Sequence, residues 1–359
     1  MIDLIEVKSL TVINLVDNET DGMSSPCSCI MTIPNNNGKV DDRVAIYTQE
    51  IAARLTQDNE LNMNRLCHAA HGLSLLLIAE YDQDIDGKIV PMKKHLLMDG
   101  GPDPNVWREN VKKCGVDLKK IDNIVLSHYH IDHSNGLRAA VEDISKEKSQ
   151  SNLAPVVVDL HHSQIVTRGF KVRGKIYPMV PDNPTSAEFE SMGAKVELHQ
   201  KGHLVDDCFY VSGRIPRHTD YETGLPGHFR QIDGKHGKQW VPDEEIDDER
   251  YIACRIKGRG VVVFSSCSHA GIVNVCKSAT EETASTLTAV IGGFHLAGSS
   301  VEDRIDATID ALKDLKPDIL LAGHCTGWRA KAKLASAFPY NFQPLSVGGS
   351  YKFNSMQQR

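Results

Sequence analysis

The 359-residue sequence has no long uninterrupted apolar run, no excess of positive charge and no cysteine pair of the C-x-x-C type. A membrane-spanning helix needs roughly 18 or more apolar residues, so we expect no membrane location. The net charge is −7, with both signs mixed along the chain. Duplex or RNA binding calls for a basic stripe, so we also expect no nucleic-acid partner.

The nine cysteines are odd in number and scattered, which argues against a disulfide framework in a chain of this length. The start, 1–7, carries acidic residues where a secretory signal would carry positive charge. We therefore expect a cytoplasmic protein. No G-x-S-x-G motif and no glycine-rich phosphate loop with lysine occurs, which disfavours covalent acyl transfer and nucleotide-kinase chemistry. The 41% apolar content supplies a sizeable core, and we expect a single domain over 1–359.

Four side chains that can bind metal stand within six residues in the segment Ser127–His133, which reads S-H-Y-H-I-D-H. The apolar run Ile121–Leu126 before it predicts a buried strand. The histidines therefore follow the carboxyl end of a strand, where open α/β sheets place their chemistry. This position favours a catalytic metal site.

The spacing within this segment predicts two neighbouring metal positions. His128 and His130 converge from one side of an extended loop, and Asp132 and His133 form a second pair. Imidazole and carboxylate ligands suit Zn²⁺, with Mn²⁺ or Fe²⁺ as alternatives, and such sites keep a coordination position open for water. We expect one or two divalent ions.

This H-x-H-x-D-H pattern resembles the signature of the metallo-β-lactamase superfamily. Within it, the chain looks most like the branch of dihydropterin-ribofuranosylaminobenzene-phosphate synthase, whose members are often described only as metal-dependent hydrolases of lactamase type. The segments that carry this resemblance are 70–74 (AHGLS), 95–101 (HLLMDGG), 212–217 (SGRIPR), 265–274 (SSCSHAGIVN), 292–296 (GGFHL) and 324–327 (HCTG). It implies an α/β fold of the four-layer αββα sandwich type. It also implies that Asp99 braces the segment Ser127–His133, which we call the metal loop, and that His71 is a supporting or pocket-lining residue.

The superfamily places further ligands after late strands, and three apolar strands here each lead to a histidine. They are Val261–Phe264 leading to His269, Ala289–Ile291 leading to His295, and Ile319–Ala322 leading to His324. We predict all three histidines as ligands. An alternative remains open, in which Cys267 supplies a thiolate in place of a bridging aspartate and His295 becomes the last ligand.

The segment 149–248 is longer than a minimal lactamase layout requires, and we interpret it as an insertion that forms a substrate wall or lid. Within it, Arg214, Arg217 and His218 are candidates for binding an anionic substrate group, with ordinary surface ion pairs as the alternative. Tyr129 stands where the family tends to have glycine and is expected to narrow the pocket mouth. The acidic segment Asp243–Arg250 is interpreted as a solvated connector without chemistry.

These observations favour a metal-dependent hydrolase that activates water against a small, anionic substrate such as a phosphoester or a cyclic ester or amide. Asp132 is the candidate catalytic residue, because a carboxylate there can orient water or carry a proton. Two alternatives are a synthase of the dihydropterin-ribofuranosylaminobenzene-phosphate type and a non-catalytic, metal-binding protein on the same fold. A small molecule is the expected partner, and the sequence leaves the oligomeric state open.

Overall fold

The computed structural model describes residues 2–21, 24, 27, 30–32, 45–48, 60, 62–235 and 237–356. Two large sheets and one small sheet organise this part of the chain. The first sheet contains, in spatial order, Lys195–His199, Val157–His161, Asn123–Val125, Lys88–Met98, Ser74–Ile85, Ser9–Val16, Ser350–Asn354, Ala45–Thr48 and Ile30–Thr32. The second contains His203–Val205, Phe209–Val211, Ile252–Ile256, Val261–Ser265, Leu287–Gly293, Ile319–Gly323 and Phe342–Pro344, with Glu6–Val7 paired beside Ile252–Ile256. The small sheet contains Lys175–Pro178, Arg168–Val172, His228–Gly234 and Gly237–Pro242.

The helices lie on the outer faces of the two large sheets. Those packed on the first sheet include Pro104–Lys113, Leu137–Gln150 and Ser186–Ser191, and those packed on the second are Ile272–Thr283, Ile305–Leu315 and Trp328–Ala337. A short helix, Ile131–Ser134, lies in the metal loop, and single 3₁₀ turns cover Met63–Arg65, Leu118–Lys120, Glu302–Arg304 and His324–Thr326. None of the helices in the described part of the chain combines the length and apolar character needed to cross a membrane.

Alternating side chains of the central strands produce the layers. Leu75 and Leu77 belong to the core between the two sheets, whereas Leu76 belongs to the core beneath the helices. The same alternation places Phe264 between the sheets and Val263 against the helices of the second sheet. Because side chains of a strand point to opposite faces in turn, a continuous apolar run buries both faces. The predicted four-layer αββα sandwich is confirmed.

The sequence predicts a helix over 136–147, directly after the metal loop, and the structure has this helix over Leu137–Gln150. Its start lies very close to the turn after the strand Lys88–Met98. A Cβ at Gly136 would lie 1.9 Å from the carbonyl oxygen of Gly100, and one at Gly100 would lie 2.3 Å from the nitrogen of Leu137. Glycine at both positions therefore permits this close approach, which sets the metal loop against the sheet edge.

The predicted insertion 149–248 is distributed over all three sheets. Val157–His161 and Lys195–His199 extend the first large sheet, and His203–Val205 and Phe209–Val211 extend the second. The rest of its strands form the small antiparallel sheet. The segment is thus partly built into the main fold, and its role as a substrate wall or lid remains a prediction.

Candidate metal centre

Three histidines from two distant parts of the chain bring one ring nitrogen each to a common point. His128 Nε2 lies 3.0 Å from His130 Nδ1, and His269 Nε2 lies 3.2 Å and 3.1 Å from these two atoms. Ligand bonds of about 2.0–2.1 Å in a tetrahedral zinc site separate the nitrogens by about 3.3 Å, close to the spacing here. These residues form the first cluster. The sequence predicted each of the three as a ligand, without grouping His269 with the other two.

The protons of this cluster are placed so that its inward nitrogens are lone-pair donors. The Ser127 hydroxyl donates to Asp99, so it accepts from His128 Nδ1, 2.9 Å away. The outer nitrogen of His130 contacts His228 at 3.0 Å. Burial lowers the pKa of all three cluster imidazoles well below the usual value, so they are neutral. The inward nitrogens of His128 and His130 are therefore lone-pair donors, and together with the neutral ring of His269 they form a buried site that fits a metal cation.

The second cluster contains a carboxylate, two imidazoles and a thiol: Asp132, His133, His324 and Cys267. The sulfur lies 3.1 Å from His133 Nε2 and 3.2 Å from His324 Nε2. The Asp132 Oδ2 atom lies 3.5 Å and 3.4 Å from the same two nitrogens. This N₂OS donor set also fits a divalent ion, and binding would deprotonate the thiol.

The electrostatics of the second cluster favour an ionised carboxylate. Burial opposes ionisation of Asp132, but the neighbouring His133 and His324 hold the pKa of its carboxyl well below the usual range. The Asp132 side chain is 17% exposed, whereas His133 and His324 are fully buried. Asp132 is therefore the member of this cluster that faces the opening. The two clusters adjoin, since the rings of His128 and His133 are 4.6 Å apart.

Asp99 connects the metal loop to a second loop, after the strand Val261–Ser265. Its carboxylate accepts hydrogen bonds from the Ser127 amide at 2.7 Å, the Ser127 hydroxyl at 2.7 Å and the Ser266 hydroxyl at 2.5 Å. It also lies 2.9 Å from His133 Nδ1. A carboxylate at this nitrogen leaves Nε2 free to bind metal and fixes the ring orientation, which is the contact expected of Asp99.

The segment Asp243–Arg250 contacts the metal loops directly, so its interpretation as a solvated connector was wrong. Asp248 accepts from the Tyr129 amide at 2.8 Å, and Arg168 donates to the Tyr129 carbonyl at 2.9 Å. Arg168 also pairs with both Asp248 and Asp243, and all three side chains are buried. A buried charge requires a partner, and here Arg168 and Asp248 are partners of each other. Both also bind the backbone of Tyr129 and thereby fix the metal loop.

The next two residues of this segment extend the bracing to both clusters. Glu249 accepts hydrogen bonds from the backbone amides of His269 and Ala270 at 2.8 Å and 2.7 Å. Arg250 donates to the Leu126 carbonyl at 2.6 Å and to the Asp159 carboxylate at 2.5 Å. We call Asp243–Arg250 the bracing segment. Its sequence is six acidic residues, one isoleucine and a final arginine, and this composition alone gives no signal for the role.

His228 was also missed, because no motif surrounds it in the sequence. It lies in the small sheet, is fully buried and contacts His130 Nε2 through its own Nε2. Its Nδ1 lies 3.3 Å from the Asp243 carbonyl. Burial and the positive charge of Arg168 lower the pKa of His228 to about 3, so its neutral ring accepts the His130 proton. His228 therefore fixes the tautomer of His130.

His295, the remaining predicted ligand, joins neither cluster. Its ring packs edge-on against that of His269, with centroids 4.5 Å apart, and its Nε2 is buried without a hydrogen-bond partner. The backbone turns at His295, where φ is 49°. Cys267 occupies the second cluster together with His324, so the structure combines the thiol of one predicted arrangement with the last histidine of the other.

Two of the predicted substrate-binding residues lie elsewhere. Tyr129 is 1% exposed and packs in the core beneath the helices, so it does not narrow a pocket mouth. Its ring points away from the first cluster because neighbouring side chains of the extended loop alternate in direction. His218 is directed at the helix Ile272–Thr283, where its Nε2 lies 3.6 Å from Glu281.

The other three candidates outside the two clusters are Arg214, Arg217 and His71, and they make different contacts. Arg214 is exposed and pairs with Glu245 and Asp247, which matches the alternative of a surface ion pair. Arg217 donates to the Glu245 carbonyl at 2.7 Å. His71 lies at the opening of the second cluster, with Nε2 3.8 Å from Asp132 and its ring 4.8 Å from that of His324. His71 thus lines the site as predicted.

Comparisons with known proteins agree with this geometry. Residues 89–147 match the family model of the metallo-β-lactamase superfamily. The chain is 29% identical over 320 residues to 7,8-dihydropterin-6-methyl-4-(β-D-ribofuranosyl)-aminobenzene-5′-phosphate synthase of Methanocaldococcus jannaschii, covering 89% of this chain and 99% of that protein. It is 31% identical over 242 residues to an uncharacterised protein of the same organism, covering 67% of this chain and 83% of the relative.

The fold is shared with a crystal structure described as a metal-dependent hydrolase of the β-lactamase superfamily. The TM-score is 0.63 at 18% identity, and the match covers 95% of this chain and 98% of that one. The family model, the relatives and the shared sandwich agree with the two ligand clusters at one edge of the sheets. The chain belongs to the metallo-β-lactamase superfamily.

Proposed function

We propose that this protein is a metal-dependent hydrolase acting on a small, anionic substrate, such as a phosphoester or a cyclic ester or amide. The observation that carries this proposal is the pair of adjoining clusters. In the second cluster the Asp132 carboxylate reaches toward solvent, whereas the imidazoles of His133 and His324 are buried. A substrate that enters there meets the carboxylate and the ligand atoms together. We expect Zn²⁺, as one or two ions, with Mn²⁺ or Fe²⁺ as alternatives.

The protein's own groups have separate roles in this proposal. The two clusters hold the ions, and when bound these ions lower the pKa of water and polarise an electrophilic oxygen. Asp132 orients the attacking water and carries a proton to the leaving group. Asp99 and His228 keep the ligand rings in the required tautomers.

The charges of the ligands support an anionic substrate. The first cluster consists of three neutral imidazoles, whereas the second adds a carboxylate and a thiol that becomes negative on metal binding. The first cluster therefore contributes no negative charge of its own. When it binds a cation, it attracts a phosphate or carboxylate group of the substrate.

A second candidate function is a synthase that joins a pterin to an aminobenzene-ribose phosphate. It is favoured by one observation, the 29% identity over 99% of the length of a protein that carries such a name. The same donor atoms would serve this reaction, because a fold and its ligands do not determine the bond that is formed.

Metal analysis and substrate assays separate these candidates. Protein purified without chelators is analysed for metal and then assayed on a phosphodiester, a lactone and a thioester, each with and without chelator. Chelator-sensitive hydrolysis of any of the three, lost in the His130→Ala variant, supports the hydrolase. Metal-loaded protein that is silent on all three but condenses a reduced pterin with an aminobenzene-ribose phosphate supports the synthase. Loaded protein inactive in all four assays supports a non-catalytic metal-binding protein.

Two further expectations belong to this proposal. The partner is a small molecule, with no nucleic-acid or membrane partner, and the location is cytoplasmic. Both rest on the charge pattern and the scattered cysteines of the sequence.

A further inference from the structure

A third group of metal-competent side chains lies outside the two clusters and consists of Asp159, His199 and His203. His199 ends the strand Lys195–His199, at one edge of the first large sheet, and His203 begins the strand His203–Val205, at one edge of the second. Asp159 lies on the strand next to Lys195–His199. The group therefore connects the edges of both sheets at the open side of the sandwich.

The contacts of His203 require a positive group beside its inner nitrogen. Its Nδ1 lies 3.2 Å from the carbonyl oxygen of Lys201, which can only accept, so Nδ1 carries a proton. Its Nε2 lies 2.5 Å from Asp159 Oδ2. A bare lone pair facing a carboxylate oxygen at this distance is repulsive, so the two atoms either share a second proton or move apart around a cation that both bind.

His199 distinguishes these two possibilities. Its Nε2 is buried and has no hydrogen-bond partner. It lies 3.7 Å from the same Asp159 oxygen and 3.6 Å from an oxygen of Glu197. A proton between His203 and Asp159 leaves this nitrogen without a partner, and an unsatisfied buried polar atom is unfavourable. A cation shared by all three residues satisfies every one of these atoms.

We propose that Asp159, His199 and His203 form a structural site for a borderline divalent cation, with Zn²⁺ as the expected ion. Two imidazoles and one carboxylate suit this ion, with water completing the coordination. The rings of His199 and His203 are stacked at 3.7 Å with an interplanar angle of 9°, so they tilt apart when the ion enters. His199 is 31% exposed and has room to do so.

Arg250 orients the carboxylate of Asp159 and links the proposed site to the metal loop. It binds the other oxygen of Asp159, Oδ1, and leaves Oδ2 to the histidines. Arg250 also donates to the carbonyl of Leu126, directly before the metal loop. An ion at this site therefore fixes the two sheet edges and, through Asp159 and Arg250, the base of the catalytic loop.

The proposal is tested by counting ions. Wild-type protein, a His199→Ala/His203→Ala double variant and a His162→Ala control are dialysed against Zn²⁺ and analysed by plasma mass spectrometry. His162 is an exposed histidine of the adjoining turn and is outside the group. We expect the double variant to bind one Zn²⁺ fewer per chain than the wild type and the control. Equal counts in all three proteins overturn the proposal and leave a proton between His203 and Asp159.

A second measurement uses the unaltered protein, in case the double variant does not fold. Crystals of the wild type soaked in Zn²⁺ are measured above and below the zinc edge. An anomalous peak between Asp159, His199 and His203 supports the site, and its absence while the catalytic clusters show peaks overturns it. A His130→Ala variant is expected to lose ions only at the catalytic clusters, which separates this proposal from the proposed function.

Discussion

The metal loop Ser127–His133 and the bracing segment Asp243–Arg250 are both rich in ionisable residues, yet only the first is recognisable in the sequence. In the metal loop, the ionisable side chains converge on two adjoining clusters and present lone pairs to them. In the bracing segment, they bind backbone atoms of other loops: Asp248 holds Tyr129, Glu249 holds His269 and Arg250 holds Leu126. Spacing identifies ligands, because ligands share one target. It does not identify braces, whose targets are distributed over the fold.

Substitutions of ligands and substitutions of braces are therefore expected to have different effects. Loss of a ligand should remove an ion and with it the reaction, while loss of a brace should first reduce stability and ligand orientation. The following experiments test this division, beginning with the largest expected effect.

Substitution of His130 by alanine should abolish chelator-sensitive activity and reduce the number of bound ions. The alanine removes one of three nitrogens from the first cluster and leaves His128 and His269. The measurement is turnover together with metal content, and His162→Ala is the control. A His130→Ala protein with full metal content and full activity would contradict the ligand assignment.

Substitution of Asp248 by alanine should lower the free energy of unfolding by about 3–5 kcal/mol, because it leaves the buried guanidinium of Arg168 with one carboxylate fewer. Urea denaturation measures this change. The matched control is Glu245→Ala in the same stretch of chain, where an exposed pair with Arg214 is worth about 0–1 kcal/mol. Similar losses in both variants would mean that the bracing segment is no more than a surface connector.

Asp99→Asn and His228→Ala should each weaken metal binding about 10–100-fold, but at different clusters. Asp99 contacts His133 of the second cluster, whereas His228 contacts His130 of the first. Calorimetric titration of metal-free protein with Zn²⁺ resolves the two affinities. If both variants weaken the same binding step, the separate roles of these braces are disproved.

Arg214→Ala should have the smallest effect, with KM and kcat unchanged and stability altered by less than about 1 kcal/mol. Its guanidinium pairs with exposed Glu245 and Asp247 and has no contact with either cluster. Steady-state kinetics on any hydrolysed substrate provides the measurement. A large rise in KM would return Arg214 to the substrate-binding role that the sequence predicted.

The sequence predicted the parts of the fold that follow from local pattern. The apolar spacing of 105–114 predicts a helix, and the helix runs over Pro104–Lys113. Its start is fixed by Asp103, which caps the first amides, and by Pro104 in the first turn. The sandwich was implied by the resemblance to the superfamily, and the apolar runs that bury both faces agree with it. The path of 149–248 could not be predicted, because its strands pair with segments that are far away in the sequence.

The candidate site shows the same limit. His128, His130, Asp132 and His133 were found because a motif of six residues contains them, and His269 and His324 because each follows an apolar strand. The same rule selected His295 wrongly, since a strand end fixes where a residue lies but not where its ring points. Tyr129 failed for the same reason. Side chains along the extended loop alternate in direction, and this alternation, rather than the nearness of Tyr129 to the ligands, decides that its ring is buried.

The contact between His228 and His130 has a consequence for engineering the protein. The small sheet looks like a peripheral appendage that a designer could trim or exchange to obtain a more compact scaffold. Yet one of its imidazoles accepts the proton of the His130 ring in the first cluster, so deleting 168–242 would remove that acceptor as well. A shortened or chimeric version would have to supply a replacement acceptor at that nitrogen before its active centre could be compared with the original.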